Sequence, residues 1–227
     1  MRSLWKALDR RLLVDATVMC AAVGLIGLSY GATAVAAGFP WWLPVVLGAL
    51  VLAAGSEFLF IGIVGSGGSP ITALLAGLLV NVRHIPYGLA VPDVLGHGWR
   101  RLLGVHLLND ETVVMAIGQE EMARKRAAYW ACGLGILVVW PLGAALGGVI
   151  GTVVPDTNAL GLDAMFPAVL LALILPALRE RATLSSAVAG GVLALATTPF
   201  LPAGLPVLIA LAGVLLSVPK SREEVAR

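Results

Sequence analysis

The stretch AGLLVNVRHIPYGLAVP, residues 76–92, decides how the chain is read. Inside an apolar segment long enough to cross a bilayer it sets Asn81, Arg83 and His84 just ahead of Pro86. An arginine at membrane depth costs about 2.5–3.5 kcal/mol on insertion scales, so a chain that keeps one must give it a partner, a cavity or a substrate. Pro86 cannot donate to the Val82 carbonyl and its ring clashes with that carbonyl, which predicts a kink or break beside the polar residues. Backbone groups freed at that depth must be satisfied by protein or water, so a buried polar cavity is the expected setting.

Working outward, the whole chain fits a membrane setting. Its 227 residues are 59% hydrophobic and 12% charged, with a mean hydropathy of +0.95. Soluble domains run near 45–50% and about 25% respectively. The net charge of +2 is small, and the basic residues stand in short clusters between apolar runs, unlike the stripe of a nucleic-acid-binding surface. Cys20 and Cys132 are far apart and lie in apolar segments, fitting neither a disulfide framework nor a zinc site. The basic start MRSLWKALDRR before an apolar run has the pattern of a signal peptide, but the run at 16–37 is too long for one and is read as a retained span.

Apolar segments fall at 15–37, 41–65, 69–91, 102–118, 127–152, 162–178, 183–198 and 205–218. Most match the roughly 17–25 residues of a spanning helix, while 102–118, with His106, Asn109, Asp110 and Glu111, is the weakest. Ser69 before Pro70 reads as a helix N-cap. Arginine and lysine cluster before the first segment, at 124–126, at 179–181 and at the end, whereas 38–42, 153–161 and 199–204 carry none. The positive-inside rule then places both termini in the cytoplasm. From Phe39 outside to Arg124 inside the chain makes an odd number of crossings, so either all three intervening segments cross or one does. Eight crossings leave Arg100 and Arg101 outside; six keep them inside and require a re-entrant or surface segment.

The expected architecture is all-α: a polytopic helix bundle of six to eight spans with discontinuous or re-entrant helices. A single transmembrane domain over 15–218 is expected between cytoplasmic segments 1–14 and 219–227. Gly24, Gly27 and Gly31, and likewise Gly143, Gly147 and Gly151, share helix faces that a neighbour can approach closely. Trp41 and Trp42 read as an interfacial anchor.

Glu57, Arg83 and Asp110 are the charged groups in or beside apolar segments of the first half, with Glu111 adjacent. At about 3 kcal/mol each if unpaired, they must face inward and compensate one another or line water. A structural ion pair serves that need as well as a binding site does. Gly55 and Ser56 next to Glu57 suggest a discontinuous helix, a device by which transporters present helix ends to substrates. His84 and His106 are candidates for proton transfer or for simple packing. Asp110 alternatively caps a half-helix that ends near Gly118. No serine-hydrolase elbow, zinc-protease motif or phosphate-binding loop is present.

In their order, AGSEF at 54–58, NVRHIPYGL at 81–89 and LLNDET at 107–112 resemble the AzlC family, the large subunit of branched-chain amino-acid exporters. The similarity extends over about 15–218. The resemblance implies a multi-pass protein of the bacterial inner membrane that exports valine, leucine, isoleucine or related apolar amino acids with a small AzlD-type membrane subunit. Neither cofactor nor metal is expected. On this reading Glu57, Asn81, Arg83, His84 and Asp110 bind substrate beside helix breaks at Gly55, Ser56 and Pro86. Arg83 forks onto the amino-acid carboxylate, while Asp110 or Glu57 receives the ammonium. The competing function is a channel or scaffold whose polar residues form a structural lock.

Overall fold

The computed structural model describes residues 8–153, 171, 175, 177–202 and 204–216, and all regular structure among them is helical. Helix α1, Arg10–Ala36, begins where Asp9 accepts a hydrogen bond from the Leu12 N–H at 2.8 Å, five residues before the expected boundary. Its partner is the 32-residue helix Met122–Val153. Here the two glycine faces foreseen in the sequence meet each other. A Cβ on Gly27 would touch Trp140 and Gly143, one on Gly147 would touch Leu28, and one on Gly151 would touch Ala32 and Val35. Residue numbers rise together along both helices, so the two run parallel. An Asp9–Arg124 ion pair of 2.7 Å joins their starts. Two parallel helices require a net reversal between them, which is the odd crossing parity demanded by the charges.

That reversal is made by broken helices. Helix α2, Trp42–Leu50, starts at the end of the bundle where α1 finishes, with Trp41 against Gly148 and Gly48 against Trp140. Helix α3, Ala54–Gly65, turns back to the same end, where Gly65 packs on Ala37 and Phe39. The segment 41–65, expected to be one span, is therefore a hairpin of two half-helices. The break falls at residues 51–53, where Leu52 takes a φ of 52°, and not at Gly55 and Ser56, which occupy the first turn of α3.

Helices α4, Pro70–Asn81, and α5, His84–Ala90, descend alongside α3 to the opposite end. There Trp130 Nε1 donates to the Val94 carbonyl at 2.9 Å and Arg126 Nε to that of Asp93 at 3.0 Å. Ser69 caps α4 as expected, accepting from the Ile71 N–H. The break comes at Val82 and Arg83, one turn ahead of Pro86, which sits in the first turn of α5 where its missing N–H removes no helical bond.

Helix α6, Trp99–His106, enters from this second end, and α7, Asp110–Ile117, returns to it. Met115 on α7 packs with Leu12, Ala127 and Ala128 near the starts of α1 and of the long helix, here α8. The segment 102–118 is thus the second hairpin, inverted relative to the first. Helices α9, Arg181–Thr197, and α10, Leu205–Ala210, pair through Gly190 and Ala210, and Gly204 between them meets Ile63 and Thr72. The basic-free loops near Phe39 and Gly204 therefore share one end of the bundle, and Arg100, Arg124 and Arg126 share the other.

By length and composition, the described helices able to cross a membrane are Arg10–Ala36, Pro70–Ala90 and Met122–Val153. Most of the expected segment 162–178, and the tail 219–227, lie outside the described residues. The core gathers around Tyr30, Phe58 and Trp140; the Tyr30 and Trp140 rings stack at 5.3 Å and Phe58 meets Tyr30 edge-on at 5.1 Å.

Candidate functional site

Three interruptions meet inside the bundle: 51–53 in the first hairpin, Val82 and Arg83 in the descending helix, and 107–109 in the second hairpin. Each arises from local chemistry. At the first, the Ala53 carbonyl collects Ser56 N–H, Glu57 N–H and the Ser56 hydroxyl, which starts α3. At the second, Pro86 forbids continuation of α4. At the third, Asn109 and Thr112 form a reciprocal capping box: Asn109 Oδ1 accepts from Thr112 N–H at 2.9 Å and Thr112 Oγ1 from Asn109 N–H at 3.0 Å. The cap is therefore Asn109, and Asp110 is the first helical residue, its carboxylate held at the positive end of α7.

Arg83 answers its own insertion cost through this geometry. Its Nη2 lies 3.0 Å from Asp110 Oδ2, with side chains 29% and 20% exposed respectively. Tyr87, one helical turn beyond Arg83, donates its hydroxyl to the other Asp110 oxygen at 2.5 Å. A Cβ on Gly55 would sit 3.3 Å from the Arg83 guanidinium, so the glycine admits the arginine against the start of α3. Arg83 Nε is buried and without a hydrogen-bond partner among the described residues. Asn81 donates through Nδ2 to Ser56 Oγ at 3.0 Å, and its Oδ1 is likewise buried and unpartnered. His84 Nδ1–H donates to the Asn81 carbonyl at 2.9 Å, a local bond that orients the ring edge-on to Tyr87.

Glu57 stands apart from this pair. It is 2% exposed, and its carboxylate accepts from the Ala53 N–H at 2.9 Å and from the Trp140 indole N–H at 3.1 and 3.3 Å. The expected compensation of Arg83 falls to Asp110, whereas Glu57 relies on neutral donors. Glu111 forms no ion pair among the described residues.

Two cavities flank the breaks. One, of about 610 Å³, opens among α5, the loop at 91–98 and α6, and is lined by His84, Leu89, Arg101 and His106 among others. The other, of about 280 Å³, lies toward the opposite end among α2, α3 and α4, and its polar lining is Ser56, Glu57 and Asn81. Val51 and Asn81 line both. No group of three or more potential metal ligands occurs among the described residues.

Tyr87 and Trp140 were not singled out from the sequence. Tyr87 was reachable, since it follows Arg83 by four residues on the same face. Trp140, 83 residues from Glu57, carried no local signal.

Residues 18–154, from within α1 to the end of α8, match the family model described as AzlC protein. The Branched-chain amino acid transport protein AzlC of Bacillus subtilis is 25% identical over 205 residues, covering 88% of this chain and 80% of that protein. An uncharacterized membrane protein of Haemophilus influenzae is 30% identical over 141 residues, covering 60% and 58%. No solved structure matches the chain. Since the family match takes in both hairpins and the broken helix between them, the chain belongs to the AzlC family.

Proposed function

We propose that the chain exports branched-chain L-amino acids such as valine, leucine and isoleucine across the bacterial inner membrane. It works by ion- or proton-coupled secondary transport with a small AzlD-type subunit. The observation that carries this reading is the Arg83–Asp110 pair, set where three helix breaks meet, beside two cavities whose linings include its neighbours Asn81 and His84 but neither member of the pair. An amino acid offers one carboxylate and one ammonium. The Arg83 guanidinium forks onto the first, Asp110 accepts the second, and the pair's mutual contact is exchanged for two substrate contacts. Leu47, Val51, Phe60 and Leu78 on one side, and Ile85, Leu89 and Leu108 on the other, supply apolar walls for the aliphatic side chain. In this reading the arginine-rich end of the bundle is cytoplasmic, both termini lie there, and each hairpin re-enters the membrane from the side on which it begins.

The test is valine efflux by Arg83→Lys. Lysine keeps the charge and loses the fork, so flux is expected to fall at least tenfold while the protein stays in the membrane at wild-type abundance. Unchanged efflux removes the fork from the account. The existing pairing of Arg83 with Asp110 also suits a structural lock without substrate. That alternative requires Arg83→Ala to lower abundance in step with activity, whereas the transport reading requires flux to fall further than abundance.

A further inference from the structure

In a continuous helix through 42–65, the Ala53 N–H would donate to the Ala49 carbonyl four residues earlier. Here that bond is absent and each half has a substitute. The Ala53 N–H donates to Glu57 Oε1 at 2.9 Å, and the Ala49 carbonyl accepts from His106 Nε2 at 3.0 Å. One substitute comes from the same hairpin and the other from the last residue of α6, at the tip of the inverted hairpin. Between them Leu52 is held at a positive φ, 3% exposed, with its side chain in the core. A β-carbon residue in this conformation persists only where its surroundings hold it.

The position of this segment matters. Val51 lines both cavities, Ala53 lines the larger one, and Ser56 and Glu57 line the smaller. The unwound residues therefore lie where the two cavities adjoin, with Val51 a wall common to both.

We infer that His106 is a positioning residue: its bond to the Ala49 carbonyl, together with the Glu57 bond to Ala53, fixes the unwound segment 51–53 as the barrier between the two cavities. The inference rests on the transport reading for its purpose and not for its geometry. Releasing His106 leaves a carbonyl unpaired at membrane depth, which favours rewinding of the segment or its displacement from this position. Each hairpin tip thereby senses the other, because the donor belongs to one and the acceptor to the other.

The test uses the full chain carrying Leu47→Cys, a position on the smaller cavity, in inside-out vesicles treated with a membrane-impermeant maleimide. Native Cys20 and Cys132 are buried, so background labelling is low. His106→Met and His106→Gln are then compared. They are similar in length, but only the amide of Gln can donate to the Ala49 carbonyl. Met is expected to raise the labelling rate from the cytoplasmic side at least tenfold and to depress concentrative valine export by a similar factor. Gln is expected to remain within threefold of wild type in both. Equal behaviour of the two variants overturns the inference, whether both label fast or both label slowly. Labelling needs no amino acid, so a Met-specific increase in a chain that moves no valine would sustain the barrier and sink the transport reading instead.

Discussion

Glu57 offers the most direct energetic test of the first helix break. Its carboxylate takes the Ala53 N–H at 2.9 Å and the Trp140 indole N–H at 3.1 Å, and the residue is almost fully enclosed. Replacing it with leucine leaves two buried donors without acceptors, at about 1–3 kcal/mol each, for an expected loss of about 2–6 kcal/mol. That is a large share of the roughly 5–15 kcal/mol by which folded domains are stable. Glutamine keeps an oxygen at the Oε1 position for Ala53 and turns its amide nitrogen toward the indole, so it gives up about one hydrogen bond, on the order of 1 kcal/mol. The assay is the unfolding midpoint of purified Glu57→Leu and Glu57→Gln in detergent, followed by tryptophan fluorescence, with membrane abundance scored in parallel. Leucine should fall well below glutamine. Two variants of equal stability would show that the donors find other acceptors, and the account of the break would fail.

Gly147→Ala drives a Cβ into the Leu28 carbonyl in the seam between the parallel helices, where overpacking typically costs about 1–3 kcal/mol and a backbone obstacle cannot rotate away. Gly62→Ala meets nothing within 4 Å and should be neutral or gain up to about 1 kcal/mol of helix propensity, so thermal midpoints should separate the two. At the bundle's arginine-rich end, the hydrogen bond from Arg124, and then that from the Leu12 N–H, hold the Asp9 carboxyl below its usual 3.8. A carboxylate depressed on folding adds stability above pH about 3.8, and that stability is lost as pH falls through the lower folded value; Asp9→Asn should remove this acid-sensitive portion in urea titrations at pH 3–6.

The sequence was informative wherever a physical cost was local. An arginine followed by Pro86 announces both a partner and a break, and Ser69–Pro70 announces a helix start; each is read within one turn of chain. Glycine spacing marked both faces of the α1–α8 seam, and the basic clusters supplied its parity, although neither revealed that the two faces meet. Hydropathy failed at 41–65 because a hairpin of two half-helices and a spanning helix are built from the same apolar residues. What separates them is a break at Val51, Leu52 and Ala53, none of which is a helix breaker by type. The Gly55–Ser56 pair drew attention to the correct neighbourhood and the wrong residues, since the glycine's missing side chain makes room for Arg83 and the turn lies elsewhere. Glu57 and Trp140 became partners only through packing across the bundle, which no spacing rule reports.

The lengths of the half-helices explain where the polar groups gather. Helix α2 has nine residues and α6 has eight, so at about 1.5 Å per residue they extend roughly 13 and 12 Å from opposite ends of the bundle. Each is close to half of the roughly 30 Å that a hydrocarbon core spans, and two such tips entering from opposite ends of the bundle meet near its middle. The contact of His106 with the Ala49 carbonyl is that meeting. The central helix crosses between the hairpins, and its interruption follows twelve residues of α4, about 18 Å from its start. Its free backbone and Arg83 thus come level with both tips. An even sharing of length among three broken elements brings their interrupted ends together midway along the bundle. The chain can hold them there only by supplying paired charges and directed hydrogen bonds from neighbouring helices.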